Sequence, residues 1–119
     1  MTTQQETPLR IPGYRHLQNR QLISRLEGNG NYTIVHLQSG LKPLLVSQTL
    51  KRFEDHLPHF IRISKSTMVN PNYVDQVIRE DAKVIYLKLT NGLCLLVSRR
   101  RMVKTLARLG HTQDESFSA

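Results

Sequence analysis

Short apolar runs, each closed by a turn signal, constrain this chain more than any other feature. Leu22–Leu26, Tyr32–Leu37, Lys42–Val46, Phe60–Ile63, Val74–Ile78, Val84–Leu89 and Leu93–Val97 have strand length and strand composition. Leu9–Ile11 is a further candidate for the start of the sheet, with Pro12-Gly13 ending that run. The punctuation is of the right chemical kind. Gly28-Asn29-Gly30 can take positive φ without a Cβ clash. Ser39-Gly40 and Asn91-Gly92 fit tight hairpin turns. Asn70-Pro71-Asn72 ends local pairing, because Pro71 has no N–H.

Two segments depart from this pattern and predict helices. Ser47 is placed to cap the first, with Leu50, Phe53 and Leu57 at i, i+3 and i+7 and Pro58 as the stop. Leu50 at N3 means that the reciprocal Glu or Gln of a capping box is missing. Ser98 is placed to cap the second over Arg99–Leu109, with Gly110 just past its end. Met102, Leu106 and Leu109 form its apolar stripe, and Arg101, Lys104 and Arg108 a basic one. Gly40-Leu-Lys-Pro-Leu-Leu-Val-Ser47 and Gly92-Leu-Cys-Leu-Leu-Val-Ser98 also echo each other: turn, strand, serine, helix. The expected fold is mainly β, with packed antiparallel strands and hairpins and two short helices near 48–57 and 99–109. One folded domain over 9–110 is expected between flexible tails, 1–8 and an acidic 111–119.

The 119 residues suffice for a single core. Lys plus Arg is 17 against 9 Asp plus Glu, a formal charge of +8. The last nine residues carry Asp114 and Glu115 and no Lys or Arg, so residues 1–110 carry +10. That excess points to an anionic partner. No apolar run is long enough to span a bilayer, and Met1–Glu6 lacks the apolar stretch of an export signal. A single Cys cannot form an internal disulfide, so the expected compartment is the cytoplasm, with no membrane role. Cys94 sits in an apolar alternating run and reads as a buried core thiol. His56 and His59 are separated by Pro58, with no further metal ligands to place beside them, and Glu54 and Asp55 read as a solvent face. Phosphate-cradling glycine loops are missing as well. The expectation is therefore a binding protein rather than an enzyme, with no cofactor, no metal and no small-molecule substrate.

Three segments carry the anion-binding reading. Arg99-Arg100-Arg101 places three cations at the start of a predicted helix, where the partial positive charge of the helix terminus disfavours them unless an anion sits there. In Arg62-Ile63-Ser64-Lys65-Ser66, alternation turns Ile63 to one face and Arg62 and Ser64 to the other. Short hydroxyl donors then surround one long cation, a mixture suited to phosphate and base-edge contacts. Gly28-Asn29-Gly30-Asn31-Tyr32 can form a protruding tip, with Asn31 able to pair with an adenine edge.

Taken in order, Glu27-Gly-Asn-Gly-Asn-Tyr32, Thr49-Leu50, Phe60-Ile-Arg-Ile-Ser-Lys-Ser66, Val69-Asn70, Tyr73-Val74 and Val97-Ser98-Arg99-Arg100 resemble the LytTR DNA-binding domain. That domain is the output module of LytR/AlgR-class bacterial response regulators, and the resemblance spans roughly Leu9 to Arg108. It implies sequence-specific binding of duplex promoter DNA by a transcription regulator, with loops rather than a recognition helix entering adjacent major grooves. The base-contacting positions implied are Asn31, Lys65 and Arg100, with Arg99 one register step away. Ser64 stands where the family often has His. Charge and proximity add Asn29, Tyr32, Arg62, Ser64, Ser66, Arg101 and Lys104 as phosphate candidates. Regulators of this class carry a receiver domain ahead of the module; only residues 1–8 precede the resemblance here, so a stand-alone module is expected. The expected partner is double-stranded DNA, with a homodimer or two copies on direct repeats as the forms to look for. Two alternatives stand beside it: a basic module that binds an acidic protein, and an RNA binder. An aromatic share of 6% with no Trp gives RNA few stacking platforms.

Overall fold

A computed structural model of the chain describes residues 20–38 and 40–110. The candidate start at Leu9–Ile11 and both predicted tails lie outside the described residues. Among the described residues, eight strands and two short helices follow a 3-10 turn at Arg20–Leu22. The strands are β1 (Ile23–Asn29), β2 (Tyr32–Leu37), β3 (Leu44–Val46), β4 (Ile61–Ser64), β5 (Thr67–Val69), β6 (Val74–Asp81), β7 (Val84–Leu89) and β8 (Cys94–Leu96). Helix α1 (Leu50–His56) lies between β3 and β4, and helix α2 (Met102–Arg108) closes the described chain. The first sheet has the order β3-β2-β1-β5-β4 and the second β6-β7-β8. All strand pairs are antiparallel, so the expected mainly β architecture with two short helices is the one observed.

Alternation explains which face each strand buries. Within β2, Thr33 and Val35 point inward, and within β7, Ile85, Leu87 and Leu89 do. In β1 the irregular register between Ile23 and Arg25 breaks the two-residue period. Ile23 and Leu26, three residues apart, therefore reach the same core.

The described residues form two cores. Leu50, Phe53 and Leu57 of the α1 segment cover Ile23, Leu26, Val35, Val46 and Met68 on one face of the first sheet. Met102 and Leu106 of α2 pack with Ile61, Ile63, Val69, Ile85, Leu87 and Val97 in the second. The β4–β5 hairpin supplies residues to both, with Met68 facing α1 and Ile61, Ile63 and Val69 facing the second sheet and α2. This short hairpin thus has apolar residues on both faces and joins the two halves.

Several local expectations are corrected. The cap of α1 is Thr49, whose Oγ1 accepts from the Arg52 N–H at 3.3 Å; Ser47 is not the cap. Buried Thr33 donates its hydroxyl to Gln48 O at 2.7 Å, which fixes the residues after β3 as a bend and starts the helix later. The second helix does not run from Arg99. Arg99–Arg101 form a 3-10 turn, the α-helix begins at Met102, and the Ser98 side chain makes no cap hydrogen bond. Cys94 is exposed rather than buried. Edge strand β8 pairs in the register Leu87↔Leu95, so Leu95 shares the inward face of Leu87 while Cys94 and Leu96 point out. Gly28 is not a positive-φ residue. A Cβ there would lie 3.0 Å from Leu50 Cβ, so its use is to let α1 approach β1 closely. Positive φ belongs to Gly30, at +62°. With Asn29 paired to Tyr32, Gly30 is the first of two central turn residues, where the II′ hairpin turn needs glycine.

Candidate nucleic-acid interface

The three segments singled out in the sequence meet at one end of the first sheet. Strand β1 ends in the Gly30-Asn31 turn, and antiparallel β5 begins beside it, with Glu27 opposite Thr67. The Gly28 N–H donates to Ser66 O at 2.8 Å and ties the Gly30-Asn31 turn to the Lys65-Ser66 turn. On the other side, the Ser98 N–H donates to Ile63 O at 2.8 Å, which sets Arg99–Arg101 beside the end of β4. The β4–β5 hairpin is the hub of this arrangement, through Ile63 on β4 and Ser66 in its turn.

The exposed ends of this cluster are polar and basic. Asn29, Asn31, Lys65, Ser66, Arg99, Arg100 and Lys104 are exposed, as is Tyr32 at 48%. Ser64 and Arg101 are half-buried. Ser64 Oγ accepts from the Ser66 N–H at 3.2 Å, which leaves its own hydroxyl proton free to be donated outward. The Arg triplet lies ahead of a seven-residue helix rather than on its first turn, so its placement does not rest on an anion held by that helix end. Of the basic stripe on α2, Arg108 donates to Pro58 O at 2.7 Å and anchors the helix to the segment after α1.

Arg62 differs from its neighbours. Its side chain is 18% exposed and pairs with Glu54 at 2.8 Å. Glu54 is thus a site residue that the sequence reading set on a solvent face. The signal for it was partial: alternation around Ile61 and Ile63 puts Arg62 on the face that α1 covers, but only the docking of α1 shows which acid it meets. On β1, Glu27 accepts from His36 Nε2 at 3.1 Å and lies 3.5 Å from Arg25. The His36 hydrogen bond, helped by the Arg25 charge, holds its carboxyl below the usual range. Among the described residues there is no group of three or more His, Cys, Asp or Glu placed to hold a metal ion. None of the described helices is long and apolar enough to cross a membrane.

Comparison with known proteins gives a family and a similar fold. The family model of the LytTr DNA-binding domain matches residues 15–110. Among solved structures, a LytTr DNA-binding domain from a Bacillus cereus protein described as a methyl-accepting/DNA response regulator is similar. It superposes with a TM-score of 0.68 at 25% identity, covering 75% of this chain and 82% of that one. No curated protein matches the sequence.

Proposed function

The chain belongs to the LytTR DNA-binding domain family, and from that premise we propose that it regulates transcription by reading specific promoter sequences in duplex DNA with its three converging turns. The observation that carries this reading is the pair of backbone hydrogen bonds, Gly28 to Ser66 and Ser98 to Ile63, that gathers the Asn31, Lys65 and Arg99–Arg100 segments at one sheet end. Turns projecting together from a rigid sheet can enter adjacent major grooves, where base edges present distinct donor and acceptor patterns. Asn31, Lys65 and Arg100, with Arg99 beside it, are the proposed base readers. Asn29, Tyr32, Ser64, Ser66, Arg101 and Lys104 are the proposed phosphate contacts, which fix orientation without reading sequence. Two copies on a direct repeat would double the footprint without a stable free dimer.

Selection of preferred sites from random duplex DNA, followed by binding measurements across a salt series, tests the proposal. Six to ten phosphate contacts give a log–log slope of about −5 to −9. A flat salt response, or selection that enriches no sequence, would overturn it.

A further inference from the structure

By charge alone, Arg62 belongs with the phosphate contacts. Its guanidinium, however, is engaged inside the protein on all three nitrogens. Nη1 donates to Glu54 Oε1 at 2.8 Å, Nε donates to Ser64 O at 3.1 Å, and Nη2 donates to Lys65 O. We propose that Arg62 and Glu54 form a clamp that presets the Lys65 turn, so that Arg62 acts as a positioning residue for base recognition and not as a DNA contact. This inference rests on the DNA-binding reading above.

The turn itself shows why a clamp is needed. Ser64 pairs with Thr67, leaving Lys65 and Ser66 as a two-residue connection. Two-residue hairpins match the twist of their strands when a central residue has positive φ. Among the described residues, only glycines have it. The Lys65-Ser66 turn therefore lacks the backbone geometry that Gly30 supplies to the neighbouring turn. The ladder is also irregular between Arg62 and Ser64. Side chains make up the difference: Ser64 Oγ takes the Ser66 N–H, and the Arg62 fork takes the Ser64 and Lys65 carbonyls, which belong to the two peptides flanking the Lys65 Cα. A planar guanidinium holding two successive carbonyls fixes the orientation of the two peptides on either side of Lys65, which an ammonium on a flexible stem cannot do. Glu54 then fixes the guanidinium to α1, a rigid element. Holding a contact side chain in its bound geometry lowers the ordering cost of binding.

The presence of Glu54 supports the same conclusion. An acid close to a DNA-facing turn opposes polyanion binding through simple charge. Its contact with Arg62 at 2.8 Å gives it a use within the folded chain.

The test uses Arg62→Lys, Glu54→Ala and the double variant of the full chain. For each, binding is profiled over all single-base variants of the selected site and across a salt series. Amide hydrogen exchange at residues 64–67 is followed without DNA. Lys65→Ala identifies the base pair that Lys65 reads, by flattening the preference there. Arg62→Lys is expected to reduce discrimination at that same base pair roughly tenfold, the loss of one charge-assisted hydrogen bond, with the salt slope unchanged. Glu54→Ala is expected to reduce it too, although removal of a negative charge by itself would tighten binding to every sequence. The double variant should lose no more than the larger single loss, and amides 64–67 should exchange faster in all three.

Full discrimination and unchanged exchange in Arg62→Lys would overturn the clamp. So would an Arg62→Ala variant that binds every sequence more weakly with a salt slope shallower by about one, the signature of a phosphate contact. A wild-type chain that prefers no duplex sequence would instead overturn the functional reading. In that case the exchange data alone decide on the clamp: faster exchange supports it and unchanged exchange removes it.

Discussion

The chain builds the same piece twice and finishes it differently. Strands β1, β2 and β3 form a meander that leads into α1, and β6, β7 and β8 form a second that leads, through the Arg99–Arg101 turn, into α2. The match extends to single residues. Leu44, Leu45 and Val46 are half-buried, exposed and buried, and so are Leu95, Leu96 and Val97. Ile34 opposes Leu45 as Tyr86 opposes Leu96, and Val35 opposes Leu44 as Leu87 opposes Leu95. The junctions to the helices diverge. In the first, Thr49 caps α1, Thr33 holds Gln48, and Gly28 lets Leu50 close in. In the second, Ser98 caps nothing with its side chain, and its buried Oγ and that of Thr105 have no hydrogen-bond partner. Three arginines occupy the turn between strand and helix. The first junction is completed in ways that favour folding; the second keeps charges and unpaired hydroxyls that do not. The contrast is what the proposed DNA contacts at Arg99 and Arg100 would lead one to expect of the second junction.

The largest effects should fall on the cores and be alike in the two halves. Phe53→Ala is expected to cost about 3–5 kcal/mol and Leu106→Ala about 2–5 kcal/mol, because both side chains are nearly inaccessible to solvent. Since the β4–β5 hairpin contributes to both cores, either change should shift one cooperative denaturant transition, seen identically by probes of each half. Separate transitions would show that the two halves fold as independent units.

The next effects should separate the junctions. Arg100→Ala is expected to lose about 1–3 kcal/mol of discrimination between the selected DNA site and its variants, with stability within about 0.5 kcal/mol of the wild type. Calorimetry and binding profiles on the same preparations check this. A large stability loss with DNA preference intact would make the second junction structural. Thr49→Ala is expected to destabilise the protein by about 1 kcal/mol, the usual cost of a lost cap. Ser98→Ala removes a hydroxyl that has no partner, so denaturant titration should find it neutral or slightly stabilising. Equal losses from the two changes would erase the contrast.

What the sequence disclosed depended on whether the cause was local. Tyr32–Leu37 and Val84–Leu89 are strands at the predicted residues, because clean alternation and flanking turn residues define both ends. Strand β5 was not legible: it has three residues, and the turn before it contains no Gly, Pro, Asn or Asp. Its closure comes from Arg62 and Ser64 side chains, which composition does not advertise. Strand β1 runs past Leu26 because Gly28, read as a turn residue, is held by Ser66 from a distant part of the chain. Strand β6 continues to Asp81, whose carboxylate accepts the Lys83 N–H and turns the chain. The position of the α1 cap is not legible locally for a similar reason, since Thr33 holds Gln48 from another strand. The candidate interface was legible as three separate segments. Their convergence was not, because it rests on two hydrogen bonds between residues far apart in sequence.

The smallest effect tests the outer face of the two meanders. Aligned through their registers, Glu27 of β1 corresponds to Ile78 of β6, since Glu27 opposes Ile34 and Ile78 opposes Tyr86. Only the first meander therefore places an acid there, and it is shared between His36 and Arg25. A carboxyl whose folded pKa lies below its ordinary value of 4.5 stabilises the fold while ionised. That contribution is complete above the ordinary value and disappears as pH falls from there through the lowered folded value. The Glu27 side chain is 47% exposed, so solvent screening limits the effect to less than about 1 kcal/mol. Glu27→Gln removes the titration while keeping the shape. The stability difference between wild type and variant should be constant near neutrality and shrink toward zero in acid, more weakly so in high salt. A difference that is flat with pH would mean that the Glu27 ion pairs contribute nothing. The difference at Glu27 would then carry no stability, unlike that at the helix junctions.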